Sequence, residues 1–303
     1  MSLLSEQKMK NLIDKKAKET NLPKQQLYGL YGLEQFLLKL NGSPYKDNLI
    51  LKGGYLLSSV YGLNNRVTRD LDTTMINSPL TKEFLEELTD FITSPNEGGE
   101  EHFELRGIKE TRENFDYNGY ELKLLFKNGR SRIPLSIDFT TGEDLAAIEK
   151  GSKIPLIFED NKSLVFPSYS IEQIIIDKFY TTIAYGKYDD TNSRMKDYYD
   201  IHLLSTIGED IDYSLVNEGL SKVMNQRDEV ISKDDFESII LSLRESENQK
   251  SLWEKYRSVT PFAKEIEFDD VIDKMLEVSD NIISVGHNHE NNTFYNRSDD
   301  FEW

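Results

Sequence analysis

The chain has 303 residues, 38% hydrophobic and 30% charged, with 16 Tyr, 15 Phe and 2 Trp, a composition that buries a core and excludes a disordered chain. Its net charge of −18 argues against a protein that coats nucleic acid non-specifically, and the absence of cysteine removes disulfides and thiolate zinc sites. No apolar run approaches the roughly 20 residues that span a bilayer and the N-terminus carries no apolar leader core, so a cytoplasmic protein with no membrane association is expected.

In chain order, apolar spacing predicts helices over 5–19 and 23–40, the second carrying Leu27, Leu30, Tyr31, Leu37 and Leu38 and ended by Asn41-Gly42-Ser43-Pro44. The short strand Leu49-Ile50-Leu51 leads through Gly53-Gly54 into a small helix bearing Leu56, Leu57, Val60 and Tyr61. Residues 66–76 read as a strand, and 80–92 as a helix with the stripe Phe84, Leu85, Leu88 and Phe91. Strands are expected at 102–112, 120–127 and 132–140; in the second, Tyr120, Leu122, Leu124 and Phe126 alternate with polar residues. From Ser170 the pattern is helical. Ser170 and Gln173 form a capping-box signature for a helix at 171–185, and a helix at 264–284 aligns Phe268, Val271, Ile272, Met275, Val278 and Ile282. Residues 285–303 show no periodicity and read as a loose, flexible tail.

In the 66–76 strand, alternation puts Leu71, Thr73 and Met75 on one face and Asp70 and Asp72 on the other. Two carboxylates so placed repel unless a cation lies between them, and Mg²⁺ prefers oxygen ligands while leaving positions for phosphate. In the 132–140 strand, Ile133, Leu135, Ile137 and Phe139 face one way and Asp138 the other; three such acids can hold two metal ions for in-line attack on a phosphoryl group. Taken alone, Asp70-Leu71-Asp72 reads more plainly as a polar strand face near a turn. Gly53-Gly54, between strand and helix, adds main-chain N–H groups and a helix N-terminus suited to phosphate. Basic residues cluster nearby in sequence, at Lys52, Arg66 and Arg69 and again at Lys123, Lys127, Arg130 and Arg132; ordinary solvated charge is the plainer reading of either group.

The stretch Leu51-Lys52-Gly53-Gly54-Tyr55-Leu56-Leu57, followed by Tyr61-Gly62, Arg66-Val67-Thr68-Arg69 and Asp70-Leu71-Asp72, resembles the first motif of AbiEii-type toxins. These are the nucleotidyltransferase toxins of bacterial abortive-infection toxin–antitoxin systems. Ile137-Asp138-Phe139 is similar to the family's second motif, the helix from Glu172 to Asp177-Lys178 to its third, and Arg194 through Asp200-Ile201 to its fourth. The first motif often has Ser as its second small residue; Gly54 stands there in this chain, so a side-chain hydroxyl contact is lost.

The resemblance implies an α+β fold: a nucleotidyltransferase-type mixed sheet with flanking helices over 1–165, a helical domain over 166–284 and the tail 285–303. It implies Asp70, Asp72 and Asp138 as catalytic and metal-binding, with two Mg²⁺ ions and an NTP donor. Gly53, Gly54, Arg66, Thr68 and Lys178 would bind the nucleotide, Lys178 also serving catalysis, with Asp177, Asp197 and Asp200 in support. The acceptor implied is RNA, the tRNA 3′ end, with growth inhibition during phage infection. A separately encoded antitoxin would counter the toxin without forming a stable complex with it.

Residue spacing bears on the helical motifs independently. Positions 171, 174, 175, 178 and 182 share one helix face, so Lys178 lines up with Ile171, Ile174 and Ile175 and needs a carboxylate or phosphate partner, unless it snorkels at the rim of the core. Asp197 and Asp200 share a stripe with Ile201 and Leu204, which leaves a structural inter-helix ion pair with Lys178 as the competing reading. Two other functions compete: a nucleotidyltransferase of the same fold acting on a protein or small molecule, and a non-catalytic nucleotide-binding module.

Overall fold

The computed structural model describes residues 5–95, 101–111, 119–142, 145–188, 193–208, 210–226 and 231–296. The chain falls into two compact units, Met1–Glu143 with Ile148–Tyr169, and Asp144–Ala147 with Ser170–Trp303.

The first unit begins with α1 (Glu6–Thr20) and α2 (Lys24–Asn41), then β1 (Leu49–Lys52), α3 (Gly53–Tyr61), β2 (Leu71–Met75) and α4 (Lys82–Thr93). It continues with β3 (Glu101–Thr111), β4 (Gly119–Asn128), β5 (Ser131–Thr140), β6 (Ile148–Pro155) and β7 (Ser163–Tyr169). Among the described residues seven strands form one mixed sheet in the order β3-β4-β5-β2-β1-β7-β6. β2 runs parallel to β5, and β1 parallel to β7; the other neighbours are antiparallel.

Alternation sorts this sheet cleanly. Leu122, Leu124, Phe126, Ile133, Leu135, Ile137, Phe139, Leu49, Leu51 and Leu71 are buried on one face. α2 packs there, its own Leu27, Leu30, Leu33, Phe36 and Leu37 buried. Gly32 permits the close approach, since a Cβ there would lie 2.8 Å from Leu135. Tyr31 meets Phe126 and Phe158 edge-on, at centroid distances of 5.9 and 5.4 Å. The opposite face carries the polar residues.

Four sequence expectations need correction. The strand expected at 66–76 begins only at Leu71, because β1, its ladder partner, ends at Lys52, where Gly53 (φ +69°) turns the chain into α3. Strands β6 and β7 were unread, and a boundary at 165 would cut β7. Ser170 accepts the Gln173 main-chain N–H (3.3 Å), but the Gln173 side-chain oxygen accepts from Ala146 and Ala147 (2.8 and 3.1 Å) instead of closing a capping box. Finally, the last helix runs to Asn296, well into the segment expected to be a loose tail; 297–303 lie outside the described residues. Once a stripe has nucleated a helix, each further residue adds a hydrogen bond without needing an apolar face.

The second unit contains α5 (Ile171–Tyr188), α6 (Met195–Ile207), α7 (Tyr213–Gln226), α8 (Phe236–Glu245), α9 (Glu247–Val259) and α10 (Phe268–Asn296). α10 packs against α6, α7 and α8 with Val271, Ile272, Met275, Val278 and Ile282 fully buried. Among the described residues no helix is long and apolar enough to cross a membrane.

Candidate active site

The polar face of the first unit's sheet is built by register. Lys52 on β1 stands opposite Asp72 on β2, Asp72 opposite Asp138 on β5, Asp138 opposite Glu121 on β4, and Glu121 opposite Lys109 on β3. Directly paired residues point to the same side, so these five form one charged row across five strands. Asp72, Asp138 and Glu121 are half-buried, whereas the residues next to them in sequence (Leu71, Thr73, Ile137, Phe139, Leu122) are buried in the core. Lys52 donates to the Thr140 hydroxyl (2.8 Å) and its ammonium lies 5.6 Å from the Tyr169 ring centroid. Glu121 accepts from Ser136 (2.8 Å) and pairs with Lys123 (3.2 Å), which together hold its carboxyl below the usual range.

Gly53 and Gly54 sit against this row. Gly53 begins α3 in the left-handed region, and a Cβ there would overlap the Asp72 carboxylate. A Cβ at Gly54 would lie 2.7 Å from the Thr68 hydroxyl and 2.8 Å from its Cβ, so there is no room here for a side chain such as serine's. Thr68 and Arg66 are both buried; Arg66 donates to the Val67 carbonyl (2.6 Å). The Thr68 hydroxyl donates to Asp70 Oδ1, which holds Asp70 in the bend ahead of β2 instead of on the strand beside Asp72.

The structure thus brings Asp72 and Asp138 together and joins Gly53, Gly54, Arg66 and Thr68 around them, while Asp70 belongs to the Thr68 bend. Among the described residues no group of three or more His, Asp or Glu is arranged to hold a metal ion. The donor chemistry nonetheless fits Mg²⁺, which is commonly held by one or two carboxylates with substrate phosphates completing its shell. Sequence reasoning missed Glu121 and Lys109, because only strand register reveals them as neighbours of Asp138 and Glu121.

In the second unit Lys178 is nearly enclosed, its side chain 14% exposed, and it bonds Asp197 (2.8 Å) and Asp200 (2.7 Å). Asp200 is 0% exposed. Burial alone would lower the lysine pKa, but the carboxylates of Asp200 and Asp197 prevail and hold it well above its usual value. Burial likewise tends to raise the Asp197 carboxyl, yet Lys178 and Arg194 (2.8 Å) bring it below its ordinary value. Asp177 accepts from Gln173 (3.0 Å), one turn earlier on α5.

Of the basic residues on β4 and β5, Lys127 and Arg132 are cross-strand partners on the same face as Asp138, six positions along β5 from it, or about 20 Å. Lys127 pairs with Glu104, Arg132 donates to the Gly129 and Ser131 carbonyls (2.8 Å each), and Arg130 lies in the intervening turn.

Solved structures similar to this chain include two from Helicobacter pylori. One is a candidate nucleotidyltransferase from H. pylori (17% identity, TM-score 0.49, covering 89% of this chain and 98% of that one). The other is JHP933 from Helicobacter pylori (16% identity, TM-score 0.46, covering 91% and 98%). No curated protein matches the sequence. A family model does, over residues 35–274, described as the nucleotidyl transferase AbiEii toxin of type IV toxin–antitoxin systems. That span takes in the glycine turn, the charged row and the Lys178 cluster together, and by it the chain belongs to the AbiEii family of nucleotidyltransferase toxins.

Proposed function

We propose that this nucleotidyltransferase transfers a nucleotide from an NTP to a hydroxyl of an RNA acceptor, the tRNA 3′ end, in a Mg²⁺-dependent reaction that halts growth during phage infection. The observation that carries the reading is the in-register pairing of Asp72 and Asp138 beside the Gly53-Gly54 turn. Mg²⁺, when bound, supplies positive charge to the phosphates and the departing pyrophosphate.

The chain's own groups do the rest. Gly53 and Gly54 present the first turn of α3 to the phosphates, with Arg66 and Thr68 closing around them. Asp138 takes the proton of the acceptor hydroxyl as that oxygen bonds the α-phosphorus. The bond from the α-phosphorus to its bridging oxygen breaks and pyrophosphate leaves. Asp72 and Asp138 would hold the metal, and Asp70, kept by Thr68 in the bend ahead of β2, would join them only by turning toward it. For Lys178, with Asp177, Asp197 and Asp200 in support, a role toward the nucleotide rests on the resemblance of its helix to the family's third motif.

The type IV family membership implies a separately encoded antitoxin; we take it to act without a stable complex with this chain, in the cytoplasm. A protein or small-molecule acceptor is the second reading, favoured by the net charge of −18 and by the pairing of Lys123 and Lys127 with glutamates. Incubation with each labelled ribonucleoside triphosphate, Mg²⁺, total cellular RNA and total cellular protein separates the two. Label in RNA that disappears with Asp72→Ala supports the first; label in protein alone, or none with any triphosphate, sinks it.

A further inference from the structure

Glu34 on α2 is 0% exposed and stands among Leu30, Tyr31, Leu33 and Leu37, with no lysine or arginine bonded to it among the described residues. A carboxylate in such a place is costly, and an apolar residue would pack there more cheaply. Its oxygens instead accept the main-chain N–H of Ile157 (2.5 Å) and of Phe158 (3.3 Å), just past the end of β6, and the phenol of Tyr55 (3.4 Å). Tyr55 is also 0% exposed and follows Gly53-Gly54 directly, in the first turn of α3. A second tie joins the same segments, since the Ser59 hydroxyl near the far end of α3 donates to the Pro155 carbonyl. α3 is therefore fastened along its length to the 155–158 segment, and Glu34 is the fastening at the end that bears the glycines.

We propose that Glu34 is a positioning residue for the glycine turn, fixing the first turn of α3 through Tyr55 so that triphosphate binding, and not the chemical step, depends on it. The proposal rests on the reading of Gly53-Gly54 as the phosphate-binding turn. Around the carboxylate the titratable groups are Tyr31 on its own helix, Tyr55 on α3 and Glu159 beyond β6. Burial pushes the Glu34 carboxyl up to about 7, against the N–H groups of Ile157 and Phe158, which draw it down. A proton gained there changes an acceptor of the Tyr55 phenol into a competing donor, so the KM for triphosphate should vary between about pH 6 and 8.

The test uses the full chain with Glu34→Gln and Tyr55→Phe, and Leu88→Ala in α4 as a destabilised control. Hydrogen exchange at the α3 amides, binding of a non-hydrolysable analogue of each ribonucleoside triphosphate, and KM against kcat are measured. Expected are faster exchange at the first turn of α3 and a roughly three- to tenfold rise in KM with kcat retained, the scale of one hydrogen bond. The pH dependence of KM should also vanish in Glu34→Gln, and Leu88→Ala should show none of this. Unchanged exchange in both variants overturns the positioning role whatever the activity does. Faster exchange in a protein whose parent binds no triphosphate analogue overturns the phosphate-binding reading of the turn, and the proposed link to it, instead.

Discussion

Replacing Lys178 by alanine is the substitution whose outcome separates a structural from a ligand-binding lysine. The ammonium lies 2.8 Å from Asp197 and 2.7 Å from Asp200, and the Asp200 side chain is 0% exposed. Removing the cation leaves that carboxylate inside the helical unit without its lysine, a change that costs about 3–5 kcal/mol. For a unit of this size such a loss lowers the melting temperature by about 10–15 °C. The pair's contribution should hold across neutral pH. Asp197, lowered from an ordinary value of 3.8, stabilises above that value and loses its contribution as pH falls through its folded pKa. Lys178, raised from 10.5, stabilises below 10.5 and loses its contribution only as pH rises through its higher folded pKa. Thermal denaturation followed by circular dichroism at pH 7, beside a nucleotide titration, makes the measurement. Adding Asp200→Leu to Lys178→Met should recover much of the lost stability, because the buried charge is then gone. A Lys178→Ala protein that melts with the parent yet no longer binds nucleotide would refute this reasoning and assign the ammonium to the ligand.

Gly54→Ser should destabilise the first unit by about 1–3 kcal/mol through overlap with Thr68, and Thr68→Ala in the same chain should relieve most of it, read from paired melts. Glu34, with an ordinary value of 4.5 and a folded value of about 7, holds its proton more tightly folded than unfolded; stability should fall by on the order of 3 kcal/mol as pH rises from 4.5 to 7, and Glu34→Gln should flatten that profile in denaturant titrations at several pH values. Lys127→Glu with Arg130→Glu should reduce the salt dependence of RNA binding by a log–log slope of about 1–2 without altering triphosphate binding, and an unchanged slope would mean the acceptor docks elsewhere.

Strand faces were the most legible part of the molecule. The apolar alternation at Ile133, Leu135, Ile137 and Phe139 is a local signal, and it placed Asp138 on the open side. The α10 stripe was legible for the same reason. What stayed hidden depends on partners distant in sequence. Asp70 was grouped with Asp72 by period-two spacing, but β1 ends opposite Asp72, where Gly53 turns the chain into α3, and the Thr68 hydroxyl holds Asp70 in the bend ahead of β2. The β6–β7 pairing is interrupted by a register shift between Glu149 and Ser152 of β6, so no clean alternation announces it. Glu34 falls on the apolar stripe of α2, between Tyr31 and Leu37, so helical spacing marks it as buried; what stayed hidden is its partners, more than 120 residues away at Ile157 and Phe158.

The charged row itself makes a further demand. Read across the strands it is Lys52, Asp72, Asp138, Glu121, Lys109, so Asp138 has an acid on each flanking strand, while the Lys52 ammonium reaches across β2 to the Thr140 hydroxyl on β5 (2.8 Å). Neighbouring strands lie about 4.8 Å apart, so both acids stand close to Asp138. The central carboxylate therefore has a like charge on each side, each such cross-strand pair costing roughly 0.2–1 kcal/mol, with Lys123 paired to Glu121 (3.2 Å) and Lys52 at Thr140 offsetting part of that cost. Asp138→Asn, which keeps shape and removes that charge, should stabilise the metal-free protein by about 1 kcal/mol, a gain in melting temperature of about 3 °C, while abolishing transfer. The gain should shrink as salt is raised, because screening already relieves the repulsion it removes. Melts of both proteins without divalent cations, at low and at high salt, decide the matter. A destabilised Asp138→Asn at low salt would show that the carboxylate is held by local hydrogen bonds that outweigh the repulsion, and the row would then no longer explain why a cation is needed beside Asp138.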